Sequence, residues 1–232
     1  LYCENNLYNA ISFLNFIKDF KIDNLIFSSS AAVYGNIKNK KLVSEKFDKN
    51  PINIYGSNKK ILEEFIIDHS NIFKYRYAIL RYFNVVGSSD FYSRENKNYS
   101  LFDENSKIIK YKKKYYKIFG LKFNTKDGSA VRDYIHVLDI VDIHIKVMRF
   151  IKFSKKSQIF NCGYGKGYSV LEICRRFNDV CNRNISLKQF SQREGDPDSV
   201  VADVSKLKNT IKWKPKFDNL DKIILSHLEM YK

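Results

Sequence analysis

The sequence is short of the features that would place it in an oxidising compartment or a membrane. Its four cysteines (Cys3, Cys162, Cys174, Cys181) form no CxxC pair, which speaks against a zinc finger or a disulfide framework. No apolar run approaches the roughly 20 residues of a bilayer span, and nothing at the start reads as a signal peptide. Repeats, low-complexity tracts and clean linkers are lacking too. Acidic residues are few, 25 against 41 basic ones, a formal charge of +16. Hydrophobic residues at 44% and charged residues at 28% of 232 positions are a globular composition and exclude a disordered or fibrous chain. A cytoplasmic protein is expected, without a membrane contact and without a metal site, large enough for one substantial domain or two small ones.

The basic excess is mostly lysine, 32 against nine arginines, and Asn, Ile, Phe and Tyr are abundant beside it. All five types have AT-rich codons, so genome composition accounts for the charge without a polyanionic partner. A nucleic-acid footprint concentrates Lys and Arg on one stripe. The densest cluster here, Lys112 to Lys114 between tyrosines, reads as a solvated face, so no nucleic-acid partner is expected. The first residue is Leu1, and helical pattern follows almost at once, which reads as a fragment.

Periodicity gives the architecture. Residues 4–20 carry Leu7, Ile11, Leu14 and Ile17 on a wide apolar helical stripe. Residues 24–28 read as a short buried strand running into Ser28-Ser29-Ser30-Ala31-Ala32. Tyr55 to His69 is helical, with Ile61, Leu62, Phe65 and Ile66 inward. Tyr77 to Phe83 reads as a second strand and residues 158–161 as a third. Between them lie a weakly patterned stretch, Gly87 to Lys117, with one loop and one helix, and a helix over Val137 to Ile151. Ser169 with Glu172 forms a capping box for a following helix, and Asp203–Ile211 and Leu220–Tyr231 read as two more. Helix and strand in alternation predict a parallel α/β sheet. Three parallel-type strands are few for an open sheet.

Tyr55 and Lys59 stand four apart, hence on one face of one helix. An ammonium beside a phenol favours the phenolate and draws its pKa down from about 10, which makes the tyrosine a general base or acid. In a chain rich in Tyr and Lys, that spacing alone arises by chance. The serine triplet some 25 positions earlier adds context, because Ser30 sits at a strand's carboxyl end, where open α/β sheets hold their ligands.

This Ser-Tyr-Lys trio on a doubly wound sheet resembles the short-chain dehydrogenase/reductase superfamily. Leu80-Arg81-Tyr82-Phe83-Asn84 resembles the strand-end signature of its extended branch. The string Asp127-Gly128-Ser129-Ala130-Val131-Arg132-Asp133-Tyr134-Ile135-His136-Val137, with Asn161-Cys162-Gly163 and Arg193-Glu194-Gly195-Asp196, is similar in order and spacing to the UDP-glucose 4-epimerase family. The resemblance covers essentially the whole chain. It implies a Rossmann-type parallel sheet with its N-terminal strands missing and a smaller C-terminal α+β substrate domain. Residues 1–85 would be the end of the NAD-binding domain. Residues 86–232 would mainly bind the nucleotide sugar, with a strand near 158–162 returning to the sheet.

The activity it implies is NAD-dependent interconversion of UDP-glucose and UDP-galactose, in galactose metabolism, through a 4-keto sugar. Tyr55, Lys59 and Ser30 match the reacting positions. Asn5, Ser30, Tyr55, Lys59 and Phe83 match cofactor contacts. Ser30, Tyr55, Asn84, Ser100, Leu101, Phe119, Arg132, Arg193 and Asp196 match substrate contacts, the arginines on the pyrophosphate side and Leu101 and Phe119 near the uracil. Taken singly, Arg132 could instead pair with Asp133 or Asp139, and Phe119 could be core. His136 and His144 read as orienting or packing residues. Ala31 and Ala32 cannot donate the proton that a dehydratase relative needs beside its serine, which favours epimerisation. Gly163 to Gly167 lacks GxGxxG spacing, so it reads as a strand-to-helix turn.

The family pattern also opens with a strand and a glycine-rich turn for the NAD pyrophosphate, and roughly its first 90 residues have no counterpart here. The chain alone is therefore expected to hold NAD poorly and to be inactive. Val200 stands where a larger Tyr occurs in some members, which predicts room for N-acetylated sugars. A UDP-N-acetylglucosamine or UDP-glucuronate epimerase and a non-catalytic remnant are the alternatives. A homodimer through the helices over about 4–20 and 55–71 is implied as well.

Overall fold

The computed structural model describes residues 7–37, 42–89 and 100–231. In chain order it runs α1 (Asn9–Asp19), β1 (Asn24–Ser30), a 3-10 turn (Ala31–Tyr34), α2 (Ile54–Phe73), β2 (Arg76–Tyr82) and β3 (Asn84–Val86). Then follow α3 (Leu101–Lys110), β4 (Tyr115–Phe119), β5 (Val131–His136), α4 (Val137–Ser154), β6 (Gln158–Cys162) and β7 (Gly167–Ser169). The chain finishes with α5 (Val170–Cys181), β8 (Ser186–Phe190), β9 (Ser199–Val200), α6 (Ser205–Ile211) and α7 (Leu220–Glu229).

The three strands read from periodicity form one parallel sheet in the order β1-β2-β6. Central β2 supplies Ala78, Ile79 and Leu80, all 0% exposed. That is the continuous apolar run expected of a strand covered on both faces. Here α1 and α2 pack through Leu14, Ile17, Ile66 and Tyr75, while Ile143, Val147 and Ile151 of α4 join a larger core with Leu80 and Phe160.

Six further strands lie outside periodicity's reach. β5 pairs in parallel with β3 and β9 and antiparallel with β7, and β4 pairs in parallel with β8. The span Gly87 to Lys117, expected to hold a loop and one helix, contains α3 and the start of β4. The first helix is described from Asn9, so the expected start at residue 4 lies outside the described residues. Ser169 and Glu172 do form the capping box that starts α5, and Ser100 with Asp103 forms another on α3. Among the described residues no helix is long and apolar enough to cross a membrane.

Candidate active site

The carboxyl ends of β1 and β2 meet the N-terminus of α2, and the reacting groups expected from sequence converge there. Asn53 caps α2, its side-chain oxygen accepting Gly56 N–H at 2.8 Å, which fixes the first turn and with it Tyr55. Gly56 is required by close approach, because a Cβ there would run into the carbonyl oxygen of Ala32. Ser30 ends β1, and its Oγ accepts the N–H of Ala32 at 3.2 Å. A hydroxyl that accepts in this way keeps its proton to donate.

Lys59 lies one turn along from Tyr55. Its Nζ donates to the carbonyl oxygen of Ser28 at 2.8 Å and stands 4.9 Å from the Phe27 ring centroid and 5.8 Å from that of Tyr55. Burial lowers the ammonium's pKa below the ordinary lysine value. A partly desolvated cation thus stands on the same helix face as the phenol, close enough to favour its charged form.

Tyr82, which the sequence reading passed over as chemistry, lines the same cavity. Its hydroxyl lies 2.7 Å from Ser28 Oγ and 2.8 Å from His144 Nε2. His144 Nδ1 faces the carbonyl oxygen of Ile140 at 2.8 Å. That nitrogen must donate, which in the neutral imidazole leaves Nε2 as the acceptor for the phenol. Burial pushes the Tyr82 phenol up to about 12. Tyr82 is thus a neutral wall of the site, and His144 orients it, as an orienting residue should.

Three connected clefts, of about 230, 410 and 370 Å³, lead away from Ser30. Phe83, Asn84, Arg132 and Asp196 border the first two, and Leu101, Arg193 and Asp196 border the second two. Phe119 closes the far end, with the Arg193 guanidinium stacked 4.2 Å above its ring. Phe83 is only 6% exposed, and its N–H bonds the Cys162 carbonyl at 3.0 Å.

Arg132 pairs with neither Asp133 nor Asp139. Its Nη2 reaches Asp196 Oδ1 at 3.3 Å, and Nη1 donates to the Val131 carbonyl at 2.8 Å. Asp133 instead collects the N–H groups of Tyr164, Gly165 and Ala202. The glycine-rich turn Gly163 to Gly167 therefore directs two of its amides at a carboxylate of its own chain. Asp139 takes Tyr164 OH together with the N–H groups of Lys216 and Phe217.

Ser100 borders the middle cleft, but its hydroxyl accepts from Asp103 N–H and donates to Asp103 Oδ2 at 2.7 Å. It is a cap first, which weakens its expected place as a substrate contact. Asn5 lies outside the described residues. The sequence reading also missed a buried Glu63–Arg81 pair behind the site. Its signal was an arginine inside the apolar run of β2, a position that demands a partner.

Comparison with known proteins agrees with this geometry. A family model described as NAD dependent epimerase/dehydratase family matches residues 1–163. A UDP-glucose 4-epimerase of Lactobacillus helveticus is 37% identical over 234 residues, covering 100% of this chain and 71% of that protein. Among solved structures, UDP-glucose 4-epimerase from Bifidobacterium longum in complex with NAD+ and UDP matches with a TM-score of 0.89 at 30% identity, covering 98% of this chain and 69% of the other. The UDP-Glc/GlcNAc 4-epimerase of Campylobacter jejuni matches with a TM-score of 0.81 at 34% identity, covering 97% and 69%.

Proposed function

The chain belongs to the NAD dependent epimerase/dehydratase family, on its epimerase side, and from that premise we propose that it interconverts UDP-glucose and UDP-galactose in galactose metabolism. The observation that carries this reading is the continuity of the site. Ser30 lines one end of a run of clefts, with Tyr55 and Lys59 beside it on the first turns of α2, and Arg132, Arg193 and Phe119 stand along the run. Phosphates suit guanidinium groups, and a base at the sheet's carboxyl edge suits the sugar.

The donor set also fits the nicotinamide half of NAD. Among the described residues Lys59 makes no ion pair, and its ammonium has one carbonyl and two ring faces for company. An ammonium has further donors to offer the hydroxyls of a ribose. Ser30, Tyr55, Lys59 and Phe83, with Asn5, are the residues that would hold this half. When bound, NAD supplies the acceptor and donor of hydride at the sugar's carbon 4, with a 4-keto sugar between the two transfers.

Tyr55 is the base that takes the proton of the 4-hydroxyl and later returns it, and Ser30 bridges the two oxygens. Lys59 holds Tyr55 toward its phenolate. Arg132 and Arg193 grip the diphosphate and Leu101 with Phe119 the uracil, while Asn84 and Asp196 meet sugar hydroxyls. Inversion requires carbon 4 to present both faces in turn to one source of hydride, so the grip belongs on the nucleotide and the sugar must stay loosely held. The division of the chain follows: residues 1–85 with the returning strand near 158–162 serve the cofactor, and the rest of 86–232 serves the nucleotide sugar.

A test is conversion of UDP-galactose to UDP-glucose by the intact protein with NAD. Tyr55→Phe should lower kcat roughly 10²–10⁴-fold, the range a positioned acid–base group contributes; retained turnover would sink the assignment. One observation favours a second substrate. Val200 lines the cavity beside Ala31 and Ala32, three small side chains where an N-acetyl group needs room, so UDP-N-acetylglucosamine is accepted too. The protein acts in the cytoplasm as a homodimer, built through the exposed apolar residues of α1 and α2.

A further inference from the structure

Beneath the three reacting side chains lies a second, fully enclosed set that the proposed reaction does not use. Glu63 stands one turn after Lys59 and two after Tyr55 on α2, and it is 0% exposed. Its carboxylate receives Arg81 through Nε at 2.9 Å and Nη2 at 2.7 Å, the two-point fork of a guanidinium on a carboxylate. Ser29 Oγ donates to the same carboxylate at 2.6 Å, and Lys49 Nζ lies 3.6 Å away. Arg81 comes from the middle of the sheet and spends Nη1 on Tyr34 OH at 2.8 Å and on the Glu45 carbonyl at 3.3 Å. Tyr34 in turn donates to Asn161 Oδ1 at 2.7 Å. One carboxylate thus ties β1, β2, α2 and the 3-10 turn together, and through Asn161 it reaches β6.

Stability is a poor account of such a pair. Taking two ions out of water costs about as much as their attraction returns, and apolar residues of similar volume often serve as well or better. What a bidentate pair does supply is one geometry. Ser29 immediately precedes Ser30 on β1, and Glu63 shares its helix face with Tyr55 and Lys59. Ser30 and Tyr55 must reach the same sugar hydroxyl, and a misplacement of about 1 Å can cost on the order of 10²-fold in rate.

We propose that Glu63 and Arg81, with Ser29, are positioning residues that set the height and rotation of α2 against β1 and thereby hold Tyr55 and Lys59 in register with Ser30. The inference rests on the proposed function for the identity of the reacting groups. The bond from Lys59 Nζ to the Ser28 carbonyl is a second tether between the same two elements, so the expected failure is partial misplacement rather than collapse.

The test compares the intact protein with two variants, measuring kcat, KM, the pH profile of kcat and the melting temperature. Glu63→Leu with Arg81→Met replaces the ion pair by apolar groups of like size. It should melt at or above the wild-type temperature, yet lose about tenfold or more in kcat at little changed KM. The limb of the pH profile that reports the base should move to higher pH, because Tyr55, displaced with α2, loses the Ser30 hydroxyl that favours its phenolate. Ser29→Ala removes one hydrogen bond and stands in where the double variant does not fold; it should lose about threefold in kcat at unchanged melting temperature. Variants that keep kcat and the pH profile within twofold of an active wild type overturn the positioning role and leave the proposed function standing. A wild-type protein without epimerase activity overturns both.

Discussion

A half-buried ammonium needs a reason, and Lys59 has one in the phenol beside it. Its Nζ donates to the Ser28 carbonyl and lies over the Phe27 and Tyr55 rings, and burial lowers its pKa. The charge therefore acts on Tyr55 through a partly desolvated gap. Replacing Lys59 by Met removes the neighbouring charge that favours the phenolate. At pH 7 kcat should fall about 10²-fold, with activity recovering as pH rises toward 10; a stopped assay from pH 6 to 10 reads this directly. A variant with the wild-type profile would show that Lys59 is not the group tuning the base. Val200 is the matching test on the sugar side. Val200→Tyr fills the cavity next to Ala31 and Ala32, so turnover of UDP-N-acetylglucosamine should fall about tenfold or more while that of UDP-glucose stays within threefold. Equal losses on both substrates would show that Val200 does not govern the choice. Tyr55 and Lys59 were legible because helical periodicity alone puts residues i and i+4 on one face. The Glu63–Arg81 pair was not, since its members lie 18 positions apart on different elements, and no local period links a helix to the strand beneath it.

At the scale of elements the same division holds. Helices α2, α4, α5 and α7 announced themselves by apolar stripes and caps, whereas β3, β7 and β9 are two or three residues long, too short for an alternation to register. β4 and β8 pair in parallel across 71 positions at Tyr115↔Ser186, a contact that only tertiary packing specifies. The end of the chain is fastened by a tie equally invisible in sequence. Asp103 in α3's first turn is met by His227 Nε2 at 3.2 Å and Tyr231 OH at 2.7 Å from the α7 end, and by Ser100 Oγ on its other oxygen. Burial acts to raise the Asp103 pKa, but these hydrogen bonds outweigh it and hold the carboxyl well below its ordinary value. A carboxylate depressed by folding stabilises fully above its unfolded pKa, near 4, and loses that contribution as pH falls toward its folded value. Asp103→Asn should therefore melt roughly 4 °C below wild type at pH 6, the size of a lost charged hydrogen bond in a chain this long. The gap should narrow steadily as pH drops from 4 to 2. A gap that stays constant in circular-dichroism melts would show that the charge on Asp103 contributes nothing.

For the whole molecule, surface chemistry decides more than the core does. The parallel α/β class was readable because helices and strands alternate along the chain, while the second strand layer around β5 was hidden within a segment known only by its motif. What the outside does is set by two opposed features, a formal charge of +16 and an apolar face on α1 and α2. Phe13, Phe16 and Phe20 are 53%, 49% and 63% exposed, spaced three and four apart on one side of α1 and its cap, and on α2 Ile72 is 68% exposed and Ile61, expected to point inward, is 45% exposed. Apolar surface of this extent marks an interaction site, and in the proposed homodimer a second copy brings the same patch by two-fold symmetry. Ile61→Glu should weaken that dimer about thirtyfold, the effect of roughly 2 kcal/mol lost near an interface centre, as read by sedimentation equilibrium. Salt separates this reading from one driven by charge. Two copies that each carry +16 repel, and added salt screens the repulsion, so self-association should tighten from 50 mM to 500 mM NaCl. Binding to a polyanion weakens steeply over the same range, because it is driven by counterion release. A complex that dissolves as salt rises would mean that the lysines, not the phenylalanines, hold it together.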